Sequence, residues 1–206
     1  SNINTINIEQ SHFYKIVHTV FDMVDVARLN ITNLWFRNIQ STCFKMSFVN
    51  NQFIEMLVMH NSTFLICQSM NQMTSSVLDI NSKSSTTNNI HSIKRKILRN
   101  VDIEKFLISR SYIVISFSTF KNCFSGRSAG VMKIAVTTTI RSITNIITQV
   151  VIKECSFYSN QAGGNGGSLA FINLNHARLI NCTFNKNFAL KGGAIYMNSI
   201  PHGHMT

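Results

Sequence analysis

The chain has almost no proline and few acidic side chains. Only one of its 206 residues, Pro201, is proline, and eight Asp or Glu stand against nineteen Lys or Arg, which gives a formal net charge of +11. Charged residues make up 13% of the chain, whereas about a quarter is usual for a soluble domain. Asn, Ser and Thr carry the remaining polarity, and this composition favours exposed strands over Lys- and Glu-rich helices.

Long apolar runs are also missing. The longest candidate, FLISRSYIVISF, is interrupted by Arg110, so no run reaches the roughly 18–20 residues of a membrane-spanning helix. No signal peptide opens the chain, and its first residue is Ser1 rather than Met. We therefore predict no transmembrane span in this segment. We also expect a fragment of a longer protein, with any targeting signal or anchor outside it.

Metal and cofactor signatures are absent as well. The cysteines include no C-x-x-C pair, which argues against a zinc site. His202 and His204 flank Gly203 without an acid or cysteine nearby in sequence, so a loose tail over residues 201–206 is the favoured interpretation. The segment AGGNGGS lacks the lysine of a phosphate-binding loop. We predict no metal site and no cofactor.

Two stretches near the end of the chain are near copies of each other. CSFYSNQAGGNGGSLAF begins at Cys155 and CTFNKNFALKGGAIYM begins at Cys182. They share the pattern C-x-F-x-x-N-x-A followed by G-G, and their equivalent Phe and Asn residues are 27 positions apart. The matched residues are Phe157 with Phe184, Asn160 with Asn187, and Gly166 and Gly167 with Gly192 and Gly193.

Weaker copies precede this pair. IVISFSTF ends at Phe120, LVMHNSTF ends at Phe64, and FKMSFVNN repeats the F-x-x-N spacing from Phe48. The 37 residues from Phe120 to Phe157 indicate one period plus an insertion. The 56 residues from Phe64 to Phe120 are close to two periods.

A period in the twenties, with β-branched strands and Gly/Asn turns, predicts an all-β fold. The best match is a parallel β-helix with coils of about 20–27 residues. A leucine-rich repeat would need a leucine ladder and helical repeats would show a 3.6-residue spacing, and neither pattern is present. Coils would stack at about 4.8 Å, with Phe157 over Phe184 and Asn160 over Asn187. The glycine pairs would allow positive φ at a corner.

The last two copies also resemble a known family. FNKN with GGAIY (184–187 and 192–196) and FYSN with GGSL (157–160 and 166–169) are similar to the F-x-x-N and G-G-A-[ILV] motif of the polymorphic outer-membrane protein repeat. In earlier copies Cys67 and Cys123 occupy the Asn position. The resemblance implies a right-handed parallel β-helix at a cell surface, acting as an adhesin or scaffold rather than as an enzyme.

The repeat also divides the chain. Residues 1–40 are predicted as N-terminal strands or a cap, with a short helix over residues 12–29 left open. Residues 41–70 are predicted as degenerate coils, and residues 101–200 as coils that are clearest at 150–200. Residues 71–100 are predicted as a polar, basic insertion or loop. No aromatic residue interleaves its basic cluster, which argues against a base-stacking platform. The cluster contains Lys94, Arg95, Lys96 and Arg99.

Catalysis is the main alternative, because β-helices also host pectin lyase-like polysaccharide lyases and glycosidases. Glycosidases need two converging carboxylates, and the lyases need an acidic calcium site with a basic proton acceptor. The close pairs, Asp22 with Asp25 and Asp102 with Glu104, have no matching acid in an adjacent recognisable coil. We therefore predict no catalytic residue. A catalytic Cys–His pair remains an alternative, although the sequence indicates no particular Cys and His for it. The remaining acids are Glu9, Glu55, Asp79 and Glu154.

Three N-glycosylation sequons begin at Asn30, Asn61 and Asn181. If Cys182 and Phe184 point inward, strand alternation points Asn181 outward, and the same logic exposes Asn61. A glycan is then sterically allowed, which favours a secreted, surface-exposed glycoprotein.

The cysteines of the two best copies should occupy equivalent inward slots. Stacked coils would bring Cys155 and Cys182 within disulfide range, but parallel side chains in a ladder rarely adopt the required torsion. We therefore favour two buried free thiols over a disulfide. The other cysteines are Cys43, Cys67 and Cys123.

Together these features favour a non-enzymatic surface or extracellular segment, a scaffold or adhesive module of a larger protein or assembly. The expected partners are proteins of that assembly or cell-surface ligands, including an acidic polysaccharide because of the basic balance. Nucleic acid is disfavoured. Two alternatives stay open. One is a carbohydrate-active β-helix enzyme or its inactive remnant, and the other is an intracellular assembly subunit that binds an acidic partner through a basic face.

Overall fold

The computed structural model describes residues 5–24, 26–48, 56–69, 76–83, 110–127, 129–137, 147–174, 176–198 and 202–205. Every regular element in these ranges is a β-strand, and none of the described residues is helical. The all-β class predicted from the repeat is confirmed.

The strands form three sheets, which we number in the order in which the chain reaches them. The first sheet contains β1 (Thr5–Glu9), β4 (Arg28–Thr32), β7 (Met56–His60), β10 (Arg110–Ser116), β14 (Ile147–Lys153), β18 (His176–Ile180) and β21 (His202–Met205). The second contains β2 (His12–Tyr14), β5 (Trp35–Ile39), β8 (Thr63–Ser69), β11 (Thr119–Lys121), β12 (Phe124–Ser125), β15 (Ser156–Tyr158), β16 (Gln161–Ala162) and β19 (Thr183–Asn185). The third contains β3 (Phe21–Val24), β6 (Phe44–Phe48), β9 (Leu78–Lys83), β13 (Met132–Thr137), β17 (Leu169–Ile172) and β20 (Ile195–Asn198).

The described chain passes through the three sheets in the same order again and again. We call each passage a layer. Layers 1 to 6 span residues 5–24, 28–48, 56–83, 110–137, 147–172 and 176–198, and β21 follows them in the first sheet. Strands of neighbouring layers pair in parallel in each sheet. This arrangement is compatible with the parallel β-helix that the repeat predicts.

A column of phenylalanine rings runs through the interior behind the second sheet. One ring comes from each layer, and successive rings stack with centroids 4.6–5.1 Å apart. Phe157 lies on Phe184 in strand register, as their 27-residue spacing predicts. Stacked rings bury large apolar areas in every layer, so the column ties the layers to one another. Its members are Phe13, Phe36, Phe64, Phe120, Phe157 and Phe184.

The register corrects one sequence-based spacing. Phe64 and Phe120 are direct strand partners in neighbouring layers, not members of layers two periods apart. The extra chain length lies between β9 and β10, in residues 84–109, and that length is close to a whole period. Phe120 and Phe157 are also direct partners, in agreement with one period plus an insertion.

The N-terminal region joins the same three sheets. Its strands β1 to β5 pair with one another or with strands of the following layers. The short helix left open over residues 12–29 is not formed in the described part of that segment, which contains β2, β3 and the start of β4. Apolar side chains on alternate positions, such as Leu29 and Ile31, are fully buried there, and this alternation fits a strand.

Two corners, each with one residue in the left-handed backbone region, recur in every layer. The first corner, between the first and second sheets, uses Gln10, Asn33, Asn61, Phe117, Glu154 and Asn181. The second corner lies three residues after the first residue of β2, β5, β8, β11, β15 and β19, and it uses Lys15, Asn38, Ile66, Asn122, Ser159 and Lys186. Their φ angles lie between 46° and 55°. Asn tolerates this region, but it strains bulky residues such as Ile66 and Phe117.

The glycine pairs serve two different needs. Gly166 and Gly192 have φ of +66° and +60°, whereas Gly167 and Gly193 do not have positive φ. A Cβ on Gly167 would lie 2.0 Å from the Gly193 carbonyl oxygen of the next layer, so Gly167 is required by close approach. The expectation of positive φ therefore holds only for the first glycine of each pair.

Candidate functional site

The asparagines of the repeat bind backbone, not each other's side chains. Asn160 is fully buried. Its Oδ1 accepts from the Cys123 backbone N–H at 3.0 Å, and its Nδ2 donates to the Phe120 carbonyl at 3.2 Å. Asn187 repeats the arrangement one layer on, with the Asn160 N–H and the Phe157 carbonyl, both at 3.0 Å. These amides satisfy polar groups at the second corner, which is a structural role.

In earlier layers cysteine takes the same slot. Cys123 Sγ lies 4.0 Å from the Phe64 carbonyl, the contact that corresponds to the amide bonds above. Cys67 occupies the slot in layer 3, and its strand partner in layer 2 is Ile39. The slot therefore changes along the stack from an aliphatic side chain to thiol to amide.

Three buried thiols meet at this slot. The Sγ atoms of Cys43 and Cys67 are 3.7 Å apart. Burial and a hydrogen bond with Cys67 raise the pKa of Cys123 well above its ordinary value. For Cys67, the hydrogen bond with Cys123 lowers the pKa, but the bond with Cys43 and burial outweigh it and the pKa is raised. The raised pKa keeps the Cys67 and Cys123 thiols protonated, and they behave as small core side chains.

Cys155 and Cys182 form a second pair. Both are free thiols, as are the other three cysteines. Cys155 is buried, but Cys182 is half-buried, so the expectation of two buried thiols is wrong for Cys182. A hydrogen bond with the Cys155 thiol lowers the pKa of Cys182 to about 6. The same bond, together with burial, raises the pKa of Cys155.

The three sequon asparagines differ in their surroundings. Asn61 and Asn181 are exposed at the first corner, whereas Asn30 is half-buried on β4. The side-chain nitrogen of Asn30 donates to Asn7 at 2.8 Å, and that of Asn61 donates to Asn33 at 2.8 Å. Asn181 is thus the most accessible acceptor for a glycan.

The described acids are spread over two sheets and one corner. Glu9 lies in the first sheet, Asp22 and Asp79 lie in the third, and Glu154 lies at the first corner. Asp22 pairs with Lys45 at 3.0 Å, and Glu154 pairs with Lys153 at 3.1 Å. Asp79 is buried and its strand partners are Lys45 and Lys133. Asp25, Glu55, Asp102 and Glu104 lie outside the described residues.

One polar pair resembles a fragment of a catalytic site. His60 Nδ1 lies 2.9 Å from Ser116 Oγ, and the imidazole packs edge-on against Phe117. No described carboxylate forms an ion pair with His60. An activated serine needs a base that a third group orients, and no such carboxylate is ion-paired with His60 in the described part of the chain.

The histidines and the basic cluster noted in the sequence do not form a site in the described structure. Among the described residues no group of three or more His, Cys, Asp or Glu side chains could hold a metal ion. His202 and His204 lie on β21, in strand register with His176 and Arg178. The basic cluster at residues 94–99 lies outside the described residues.

The outer face of the second sheet consists of two regular columns. Because each column phenylalanine points inward, the residues before and after it point outward. The column before it contains His12, Trp35, Thr63, Thr119, Ser156 and Thr183. The column after it contains Tyr14, Arg37, Leu65, Lys121, Tyr158 and Asn185.

Four basic side chains lie on this face or at its edge, apart from the described acids. Arg37 and Lys121 are exposed, as are Lys15 and Lys186 at the second corner. No described acid lies on the strands of the second sheet or at the second corner. Sequence reasoning missed this face. The F-x-x-N spacing identifies the inward Phe of a layer. Which outward residues of layers 3 and 4 become neighbours depends on the strand register across the connection at residues 84–109.

Comparisons with protein-family models, with curated proteins and with solved structures find no match to the chain. In the part of the chain that the structure describes, no helix is long and apolar enough to cross a membrane.

Proposed function

We propose that the chain is a segment of a right-handed parallel β-helix that serves, at a cell surface or outside the cell, as a non-enzymatic scaffold or adhesive module. The observation that carries this proposal is the layer-by-layer parallel pairing in all three sheets. A stack of this kind presents long faces of outward side chains, and such faces suit binding along a surface.

The resemblance to the polymorphic outer-membrane protein repeat supports this interpretation. The motif residues have a consistent physical role, since Phe157 and Phe184 stack inside and Asn160 and Asn187 bind corner backbone. The same slot is filled by thiols in layers 3 and 4. The early layers therefore keep the same strand arrangement, although a thiol replaces the motif asparagine in this slot.

The carbohydrate-active enzyme alternative finds no support in the described acids. Glu9 lies in the first sheet and Glu154 at the first corner, Asp22 and Asp79 are separated by Lys45 in the third sheet, and two of the four are ion-paired with lysine. A turnover assay on acidic and neutral polysaccharides separates the two classes. Turnover abolished by a single acid-to-amide change, such as Glu154→Gln, would replace the scaffold by the enzyme.

Surface labelling tests the proposed location. Intact source cells are treated with a membrane-impermeant biotin reagent, and the protein is then captured with an antibody raised against this chain. We expect labelling without lysis, and a glycosidase-sensitive mobility that is reduced by Asn181→Gln. Labelling only after lysis would establish the intracellular alternative instead.

A further inference from the structure

Among the described residues, the outer face of the second sheet carries basic side chains and no acidic ones. We propose that this face binds a linear acidic polysaccharide, one with carboxylate or sulfate groups at intervals along its chain. The inference rests on the adhesive role proposed above and assigns to it a ligand class and a surface.

The bases form a row along the stack. Arg37 and Lys121 stand in the same outward column, in layers 2 and 4. Lys15 and Lys186 stand one residue beyond that column, in layers 1 and 6. At about 4.8 Å per layer, Arg37 and Lys121 are roughly 10 Å apart and the whole row spans roughly 24 Å. A row of this length fits an extended anion better than a compact one.

The positive potential of this row is not cancelled on its own face. Glu154 lies at the first corner rather than the second, and it forms its ion pair with Lys153 of the first sheet. Neither Arg37 nor Lys121 forms an ion pair with a described acid. Unpaired bases of one sign attract an anionic ligand and orient it. The planar Arg37 guanidinium can also hold a carboxylate with two parallel hydrogen bonds.

Hydroxyl groups line the face beside this row. Thr63, Thr119, Ser156 and Thr183 occupy the column before the phenylalanines in four consecutive layers. A hydroxyl can both donate and accept a hydrogen bond, so the column matches the hydroxyls of a sugar chain. Charge contacts on one column and hydroxyl contacts on the other favour a polysaccharide over a simple polyanion.

Single-stranded nucleic acid fits this face less well. Base stacking needs free aromatic faces between the charges. The Tyr14 ring already carries the Lys15 ammonium 5.1 Å from its centroid, and Tyr158 is half-buried. Nucleic acid is therefore a competing outcome of the test.

Calorimetric titration of the chain provides the test. The probes are polygalacturonate and heparin, with neutral dextran and single-stranded DNA for comparison. We expect both acidic polysaccharides to bind, dextran not to bind, and affinity to fall with added salt because counterions are released.

Two double variants of equal net charge locate the binding. Arg37→Gln with Lys121→Gln removes one Arg and one Lys from the face. Arg178→Gln with Lys191→Gln removes the same two residue types from exposed positions outside the second sheet. We expect the face variant to lose at least about tenfold in affinity, the equivalent of one strong charged contact, and the control variant to lose less than about twofold. Melting temperatures check folding, and Lys121→Gln alone replaces a face variant that does not fold.

Equal losses in the two variants would show that net charge alone drives binding and would overturn the proposal. Absence of polysaccharide binding would also overturn it, while the surface-labelling result would stand independently. Tighter binding of DNA, lost in the face variant, would assign the face to nucleic acid instead.

Discussion

At the scale of single residues, the amide slot shows how one side chain holds a corner together. Asn160 bonds to the backbone of the preceding layer and to Ser168 Oγ at 3.2 Å. Because the site is fully buried, water cannot replace these bonds. The slot therefore explains the repeated asparagine without any catalytic role.

Replacing Asn160 by Ala should lower the free energy of unfolding by about 1–3 kcal/mol for each buried group left unsatisfied. Asn187→Ala is the matched variant and should cost less, because Asn187 is half-exposed and water can reach its partners. Urea unfolding of both variants measures the difference. Equal stability of Asn160→Ala and the parent chain would contradict the assigned role.

The two glycines at residues 192 and 193 should respond differently to the same substitution. A Cβ at Gly192 would adopt φ +60° and lie 2.1 Å from the Ile195 carbonyl oxygen. Gly192→Ala should therefore cost at least about 1–2 kcal/mol. The nearest atom to a Cβ at Gly193 is 3.8 Å away, so Gly193→Ala should be nearly neutral. Thermal unfolding compares them, and a larger loss at Gly193 would refute the corner geometry.

Cys182 should be the most reactive thiol. It is half-buried whereas the other cysteines are buried, and its pKa is lowered to about 6. Because the thiolate is the nucleophile, its alkylation rate should rise as pH increases through about 6 and then level off. Mass spectrometry after timed iodoacetamide treatment locates the label.

The control for this prediction is Cys155→Ala. It removes the thiol that lowers the Cys182 pKa, so the inflection should move to higher pH. An unchanged pH profile would show that Cys155 does not set the reactivity of Cys182.

At the scale of elements, the phenylalanine column supports every layer of the second sheet. Phe120 is fully buried between Phe64 and Phe157, with centroid distances of 5.1 and 5.0 Å. Phe120→Ala should lower the free energy of unfolding by about 3–5 kcal/mol, the usual cost of a large cavity. Phe184→Ala should cost less because Phe184 is only half-buried. Chemical denaturation of the two variants measures this order, and the reverse order would contradict the packing.

The same elements show how far sequence reasoning reaches. The pairing of Phe157 with Phe184 follows from a clean 27-residue spacing with a visible motif at both ends. The pairing of Phe64 with Phe120 does not follow, because an insertion of nearly one period imitates an extra layer. Phe13 and Phe36 were missed because no asparagine follows them at the motif spacing.

The corners were predicted only in part for a related reason. Glycine and asparagine indicate left-handed backbone, but Lys15, Ile66 and Phe117 adopt it as well. Their conformation is imposed by neighbouring layers, which a local pattern does not contain. The outward columns, and with them the basic face, become visible only once this register is known.

At the scale of the whole molecule, the basic residues differ in whether an acidic residue lies beside them. Ion pairs neutralise part of the charge on the third sheet and at the first corner. On the described face of the second sheet, by contrast, the only charged side chains are basic. The stack separates an apolar interior of aligned side chains from outward columns that are free to vary. An adhesive or scaffolding role requires this separation, and it requires no pocket.

A crystal structure of the chain tests the central claim most directly, because it measures register and handedness together. The account predicts a right-handed path in which Phe64, Phe120, Phe157 and Phe184 lie on consecutive parallel strands with ring centroids about 5 Å apart. An additional layer between Phe64 and Phe120, antiparallel pairing of their strands, or a left-handed path would contradict it.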